Sequence, residues 1–333
     1  MTGGRSHGHV VVVGDVMTDI IVRPAEPSAP GSDRRATIRE HPGGGGANLA
    51  AWLGALGVKV TLAARVGAAD RDRWAAWLGR FGVRAALAAD PRRPTGRLVA
   101  LLDADGERSF LTDRGANAAL GRRDLPATLL DGAALLHVSG YALFEAGPRA
   151  AVRALLAAAR RRGLPVSVDA ASAAPLRAVG AAAFLTWTEG ADLGFANAAE
   201  AAVLAGSVDP ATQLARLAGS YRMAVLKRGA EGAMLGGRDG LVATRPARAV
   251  SVRDATGAGD AFLAGFIAAW LAGARPAACL ARGVALGTRA VTRLGGAPAA
   301  IRRAPSAPPA ARSPAGPDPW RSPPSPPTRA TGG

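Results

Sequence analysis

The sequence has almost no cysteine. Cys279 stands alone among 333 residues, which excludes an intramolecular disulfide and any zinc site built from a cysteine cluster. That usage suits a reducing compartment, so a cytoplasmic setting is the expectation. The four histidines, His7, His9, His41 and His137, lack metal-ligand spacing. Long apolar runs are missing as well. The longest, "AFLAGFIAAWLAG" (261–273), has 13 residues, short of the ~20 that a membrane-spanning helix needs. "HVVVVGD" (9–15) is too short an apolar run for a signal peptide. No membrane partner is expected. Lysine is scarce too, with Lys59 and Lys227 the only two among 41 basic residues. The net charge of +16 alone suggests nucleic acid. Yet the arginines are scattered in pairs, and aromatic residues, which would stack bases, make up 5% and are not interleaved with them. No nucleic-acid partner is expected. The chain contains no G-x-x-x-x-G-K-[ST] and no G-x-G-x-x-G after its first strand. The first absence excludes a Walker loop and the second speaks against a dinucleotide-binding dehydrogenase.

What is present is a large core. Hydrophobic residues make up 49%, and a chain of this length buries roughly three quarters of its surface as one α/β unit. The β-branched run at 9–15 stops at Gly14, as a buried parallel strand does. Helical spacing follows at 47–57 and 71–83, with a strand at 58–67 between them. The pattern then changes to two strands around the turn "DADGE" within 95–117. From 135 strands and helices alternate again, ending in a helix at about 276–293. Such alternation predicts a doubly wound, mostly parallel sheet with ligands at the carboxyl ends of its strands. The extended pieces at about 16–40 and 95–113 do not fit that layer and are candidates for a small β lid. Residues 304–333 are rich in proline, serine and arginine without apolar periodicity, the composition of a disordered tail.

Four segments carry chemistry. "DATGAGD" (254–260) places Gly257, Ala258 and Gly259 between two aspartates, directly before an apolar helical pattern. On the plainer reading it is a strand-to-helix connection capped by Asp260. On the chemical reading the N–H groups of Ala258, Gly259 and Asp260 form an anion hole at a helix N-terminus. A carboxylate beside a phosphate is repulsive unless it removes a proton, so Asp260 is a candidate general base. "GGGGAN" (43–48) is either a flexible loop or a place where a ligand meets bare backbone. "NAAE" (197–200) reads as a capping box of Asn197 and Glu200, or as an oxygen-rich corner for hydrated Mg²⁺ and phosphate. "GDVMTD" (14–19) sets Asp15 and Asp19 just beyond the first strand, where they either bind sugar hydroxyls or form a solvated turn.

In this order the segments resemble the PfkB-type carbohydrate kinases, the ribokinase family. The resemblance covers about residues 9–301. It includes "PGGGGAN" (42–48), "ARVG" (64–67), "TDRGAN" (112–117), "NAAE", "LKRGAEGA" (226–233), "DATGAGDAF" (254–262) and "AVTRLGGA" (290–297). It implies a ribokinase-like α/β fold, with helices flanking the sheet and a β lid over the sugar. It implies an ATP-dependent phosphotransferase with an alcohol acceptor: Asp260 as base, and Gly257, Ala258 and Gly259 as anion hole. Asn197 and Glu200 match the motif that organises Mg²⁺, which Glu200 would hold through water. Lys227, Gly229 and Gly232 match positions beside ATP. Asp19, Gly44 and Asn48 match sugar-contacting positions. Asp254 matches a residue near a K⁺ site in some members. A small-molecule sugar or nucleoside is the implied partner, and a homodimer through the lid is a further expectation. A nucleoside kinase and a non-catalytic sugar-binding protein on the same scaffold are the alternatives. Three positions that carry polar sugar contacts in ribokinase hold Met17, Gly45 and Gly140 here. This argues against ribose and for a roomier pocket suited to a hexose, a keto-deoxy sugar acid or a nucleoside. Arg114, in the lid segment, is a candidate partner for a carboxylate or phosphate on the acceptor.

Overall fold

Four consecutive valines, Val10 to Val13, are fully buried. An apolar run covered on both faces belongs in the middle of a parallel sheet, and β1 (His9–Val13) lies there, between the sixth and eighth strands of nine. The fold is given by a computed structural model that describes residues 8–26, 31, 33–102 and 108–299. The expected turn at 103–107, part of the expected lid segment (27–30 and 32) and the expected tail at 304–333 lie outside the described residues.

After β1 come β2 (Met17–Pro24), β3 (Ala36–Gly43), α1 (Gly45–Ala55), β4 (Val60–Gly67), α2 (Arg71–Gly79), β5 (Val83–Asp90), β6 (Gly96–Leu102) and β7 (Arg108–Asp113). The middle of the chain forms β8 (Ala133–Ser139), α3 (Tyr141–Phe144), α4 (Ala146–Arg161), β9 (Val166–Asp169), α5 (Ala173–Val179), α6 (Ala181–Thr188) and β10 (Leu193–Asn197). It closes with α7 (Ala198–Ala205), α8 (Pro210–Ser220), β11 (Met223–Lys227), β12 (Ala233–Gly237), β13 (Gly240–Arg245), α9 (Ala258–Leu271) and α10 (Pro276–Ala290). The large sheet runs in the order β13-β12-β11-β10-β9-β8-β1-β4-β5. Its pairings are parallel from β5 to β11 and antiparallel for β12 and β13. Parallel pairing brings the carboxyl ends of β1, β8, β9, β10 and β11 to one edge. Asp15, Ser139, Asp169, Asn197 and Lys227 therefore share that edge although they are far apart in sequence.

The expected lid segments contribute a separate four-stranded sheet, in the order β3-β2-β6-β7. Its register puts Met17, Asp19, Leu98 and Thr112 on one face, which lines a cavity over the large sheet. The opposite face carries Ile20, Val22, Ile38, Val99, Leu101 and Leu111. Ile38 and Leu111 are 62% and 61% exposed.

Local readings depart from the structure in three places. The helix expected over 71–83 stops at Gly79, and residues 83–90 form β5 beside β4 along its whole length. "VRAALAAD" gives little strand signal because alanine is depleted in strands; the pairing with β4 decides it. Between β9 and β10 the structure inserts α5 and α6, the crossover that two parallel neighbours require. The single helix expected from Asn197 is two, α7 ending at Gly206 in the left-handed region (φ 66°) and α8 starting behind Asp209.

Candidate active site

The turn before α9 begins at Gly257, whose φ of 71° is left-handed. A Cβ there would stand 2.4 Å from the backbone of Gly296. Glycine is thus required twice at this position, by conformation and by close approach. The N–H of Ala258 turns back to the carbonyl of Ala255 at 3.3 Å. Gly259 and Asp260 follow in the first helical turn, where N–H groups have no partner within the helix. The side chain of Asp260 accepts a hydrogen bond from Asn48 Nδ2 at 3.1 Å. Burial pushes its carboxyl up to about 7; the Asn48 bond and Lys227 oppose that rise, while Asp169 and Asp19 add to it.

Two cavities meet at this turn. One, of about 280 Å³, is lined by Asp260 and Gly257 together with Asp15, Asp19, Asn48 and Arg114, and it lies under the small sheet. Asp19 is only 8% exposed. Its carboxyl rises to about 7, mainly through desolvation and secondly through Asp254. A Cβ at Gly44 (φ 91°) would lie 2.5 Å from the Asp15 carbonyl, so the glycine run lets α1 start directly against the end of β1. Asn48 Oδ1 is buried without a hydrogen-bond partner, as is Arg114 Nη1. Gly45 also lines this cavity. Gly140 is packed against the chain instead, since a Cβ there would meet the Asp169 carbonyl at 2.7 Å. No side chain fits at that position, and its loss of a polar contact leaves no room behind.

Arg114 is already engaged within the protein. Its Nη2 donates to Asp15 Oδ1 at 2.9 Å, its Nε lies 2.9 Å from Glu145 Oε1, and its guanidinium sits 5.3 Å from the centre of the Tyr141 ring. Two protein carboxylates already pair with it, and its Nη1 remains without a partner on the cavity.

The second cavity, of about 590 Å³, is lined by Asn197, Lys227, Gly229, Gly232, Ala258 and Gly259, and by an apolar group including Val250, Val252, Phe262, Val284 and Val291. Gly229 (φ 56°) and Gly232 (φ 93°) carry the loop after β11. Lys227 Nζ pairs with Asp169 Oδ1 at 2.7 Å. Burial alone would lower the lysine, but Asp169 and Glu200 hold it above its usual value. Asn197 and Glu200 form the capping box of α7: Glu200 N–H donates to Asn197 Oδ1 at 2.9 Å, and Asn197 N–H to Glu200 Oε2 at 2.7 Å. Glu200 is 2% exposed, and its carboxyl is raised to about 7 by burial, against Lys227 and with Asp169. The corner is thus a helix cap and also an acidic pair, buried Glu200 and part-buried Asp169, around one lysine. Asp254 accepts from the N–H groups of Thr256 at 2.9 Å and Gly295 at 2.9 Å, tying the loop ahead of the turn to the one behind it. Among the described residues no cluster of three or more His, Cys, Asp or Glu could hold a metal ion by itself. Nor is any described helix long and apolar enough to cross a membrane.

Asp169 is a site residue that sequence reasoning missed, as are Ser139 and Tyr141 on the smaller cavity. The one signal for Asp169 was its place at the end of the strand "PVSVDA". Only the parallel pairing of β9, β10 and β11 brings it to Lys227.

A glycine turn at a helix N-terminus thus lies between two cavities, with the Asp260 carboxylate facing one and Lys227 lining the other. The chain belongs to the pfkB family of carbohydrate kinases, whose family profile matches residues 7–302; these are ATP-dependent enzymes. A fructokinase from Klebsiella pneumoniae is 30% identical over 284 residues, covering 79% of this chain and 84% of the relative. An ATP-dependent ribose-1-phosphate kinase from Halopiger xanaduensis is 30% identical over 265 residues, with the same two shares. In fold, the chain matches an adenosine kinase from Sinorhizobium meliloti with a TM-score of 0.78 and 22% identity, covering 88% of this chain and 96% of that one.

Proposed function

We propose that this kinase transfers the γ-phosphoryl group of ATP to a hydroxyl of a neutral sugar, with Asp260 as general base. The observation that carries the reading is the position of the turn at 257–260. Gly257 and Asp260 face the smaller cavity, and Ala258 and Gly259 face the larger one. An acceptor in the first cavity and a triphosphate in the second would meet across this turn. The acceptor oxygen attacks the γ-phosphorus, its proton passes to Asp260, and ADP leaves with the electron pair of the broken P–O bond. The N–H groups of Gly259 and Asp260, in the first helical turn, and Lys227 offset the charge on the transferring group.

Asp19, Gly44 and Asn48 form the acceptor side. A buried acceptor atom (Asn48 Oδ1) and a buried donor atom (Arg114 Nη1), both without partners, suit a molecule rich in hydroxyls. The carboxylates of Asp15, Asp19 and Asp260 and the compensated Arg114 disfavour an anionic acceptor. On the nucleotide side, Gly229 and Gly232 admit the phosphates and ribose, and the apolar wall takes the base. Glu200, with Asn197, fits a magnesium ion held through water, because both its oxygens are engaged in the cap and Mg²⁺ keeps several of its own ligands. When bound, that ion neutralises the phosphates. Asp254, committed to two backbone N–H groups, is assigned the loop-tying role, and a K⁺ requirement is tested by comparing turnover in potassium and sodium buffers.

The test is ADP release from ATP–Mg²⁺ with fructose, ribose, 2-keto-3-deoxygluconate, ribose 1-phosphate and adenosine in turn. Preferred turnover of a neutral sugar supports the reading. Preference for the sugar acid or the phosphosugar overturns the charge argument, and preference for adenosine moves the enzyme to the nucleoside branch. We also propose a homodimer through the outer face of the small sheet, where Ile38 and Leu111 are exposed. Sedimentation should then give a dimer that Ile38→Glu with Leu111→Glu reduces to a monomer; a wild-type monomer at all concentrations refutes it.

A further inference from the structure

We propose that Asn48 is a positioning residue for the base: it occupies Oδ2 of Asp260 and leaves Oδ1, beside Gly45, as the atom that takes the acceptor's proton. The inference rests on Asp260 acting as proposed above.

The geometry is as follows. Asn48 lies in α1, 212 positions before Asp260, and its Nδ2 donates to Asp260 Oδ2 at 3.1 Å. An ionised carboxylate only accepts, so the amide must turn its nitrogen to Asp260. Gly296 keeps the amide in place. A Cβ at Gly296 would stand 2.6 Å from Asn48 Nδ2 and 3.3 Å from Oδ1, so this glycine lies flat against the amide. The carbonyl of Gly296 also accepts from Trp52 Nε1 at 2.9 Å, one helical turn beyond Asn48. The loop at 295–296 is therefore clamped to α1 on one side and to the turn at Gly257 on the other.

Oδ1 has a different neighbourhood. A Cβ built on Gly45 would lie 3.5 Å from Asp260 Oδ1 and 3.9 Å from Ser139 Oγ. The bare backbone of Gly45 therefore leaves a space between Oδ1 and Ser139 that opens on the acceptor cavity. A hydroxyl there would give its proton to Oδ1 as its oxygen forms the new bond to phosphorus and the bond to ADP breaks. The groups facing Asp260 are Asn48 from α1, Asp19 from β2, Asp169 from β9 and Lys227 from β11. Asn48 and Lys227 favour the charged form, and only Asn48 is a neutral group fixed on a single oxygen.

The experiment follows the Asp260 carboxyl directly, by ¹³C NMR titration of aspartate-labelled protein, with Asp260→Asn identifying the signal. Alongside it, kcat/KM is measured against pH with the best acceptor of the panel above. Asn48→Ala removes the donor, and Gly296→Ala displaces it without altering either partner. Both should raise the titration midpoint and lower kcat/KM about tenfold further below the midpoint than above it, the pH-independent remainder at high pH being the cost of the acceptor contact made by Asn48 Oδ1. Gly45→Ala should lower kcat at every pH with the midpoint unmoved. A midpoint unchanged in Asn48→Ala and Gly296→Ala, with only KM raised, would make Asn48 a plain substrate contact and overturn the inference. If Asp260→Asn retained full turnover, the base itself would be misassigned, whereas the NMR midpoints would still report on the hydrogen bond.

Discussion

Asp260→Asn is expected to lower kcat by about 10²–10⁴, the usual contribution of a general base, and at the same time to raise the melting temperature. The two effects share one cause. Burial and the neighbouring carboxylates of Asp169 and Asp19 push the Asp260 carboxyl from 3.8 to about 7. A carboxyl whose pKa rises on folding holds its proton more tightly in the folded state. Its charge therefore costs stability as pH climbs from the ordinary value toward about 7, and the full cost is present above that. Asparagine removes this cost and keeps the shape. Because the side chain opens on a cavity that admits water, we expect only about 1–2 kcal/mol, a few degrees in melting temperature. The gain should be seen above pH 7 and should vanish near pH 4. The same titration sets the wild-type rate. Only the ionised form accepts a proton, so kcat/KM should rise with pH through about 7 and then level off. Asp19 titrates in the same range and faces the same cavity, so the limb belongs to the pair. A mutant that is less stable and still active would break both halves of the argument.

Gly257→Ala is expected to be the more damaging change to the chain. The new Cβ would stand 2.4 Å from Gly296 atoms, on a residue held at φ 71°. The left-handed conformation alone costs a non-glycine residue roughly 1–2 kcal/mol. The contact is with backbone, so either the turn at 257–260 or the loop at 295–296 must shift. A shift of the turn moves the N–H groups of Gly259 and Asp260 from the proposed phosphoryl position, and a shift of the loop disturbs Asn48, which it packs against beside Asp260. Loss of one such donor is typically worth about 10²–10³ in kcat. We therefore expect a kcat loss of at least that size together with a lower denaturation midpoint, read from turnover and urea unfolding on the same preparation. Gly259→Ala is the comparison: its Cβ would lie at an ordinary 3.6 Å from Lys227 Nζ, and the stability loss should be small. Equal loss of stability in the two variants would refute the packing argument.

Sequence reading reached the glycine turn at the start of α9 because its grammar is local. Glycines that permit a left-handed start, a carboxylate in the first helical turn and an apolar helix behind them all lie within 254–266. The capping box at 197–200 was legible for the same reason, with Asn197 and Glu200 three residues apart. The layered fold could be read from the valine run and the helical spacings, each a periodicity of one segment. β5 could not, since an alanine-rich strand is defined by its partner β4 rather than by its own residues.

By itself, then, the sequence determined the α/β class, the turn at Gly257 and the carboxylate at its end, because each depends on neighbours in the chain. Tertiary structure alone decided which distant groups surround that carboxylate. Parallel pairing aligned Asp169 with Lys227, and α1 carried Asn48 to Asp260. Folding of the small sheet over β1 closed Asp15, Arg114 and Glu145 into an ion-pair chain at the smaller cavity. Charge and hydrogen bonding act through space over a few ångströms, and no spacing within one segment encodes which strand ends will meet.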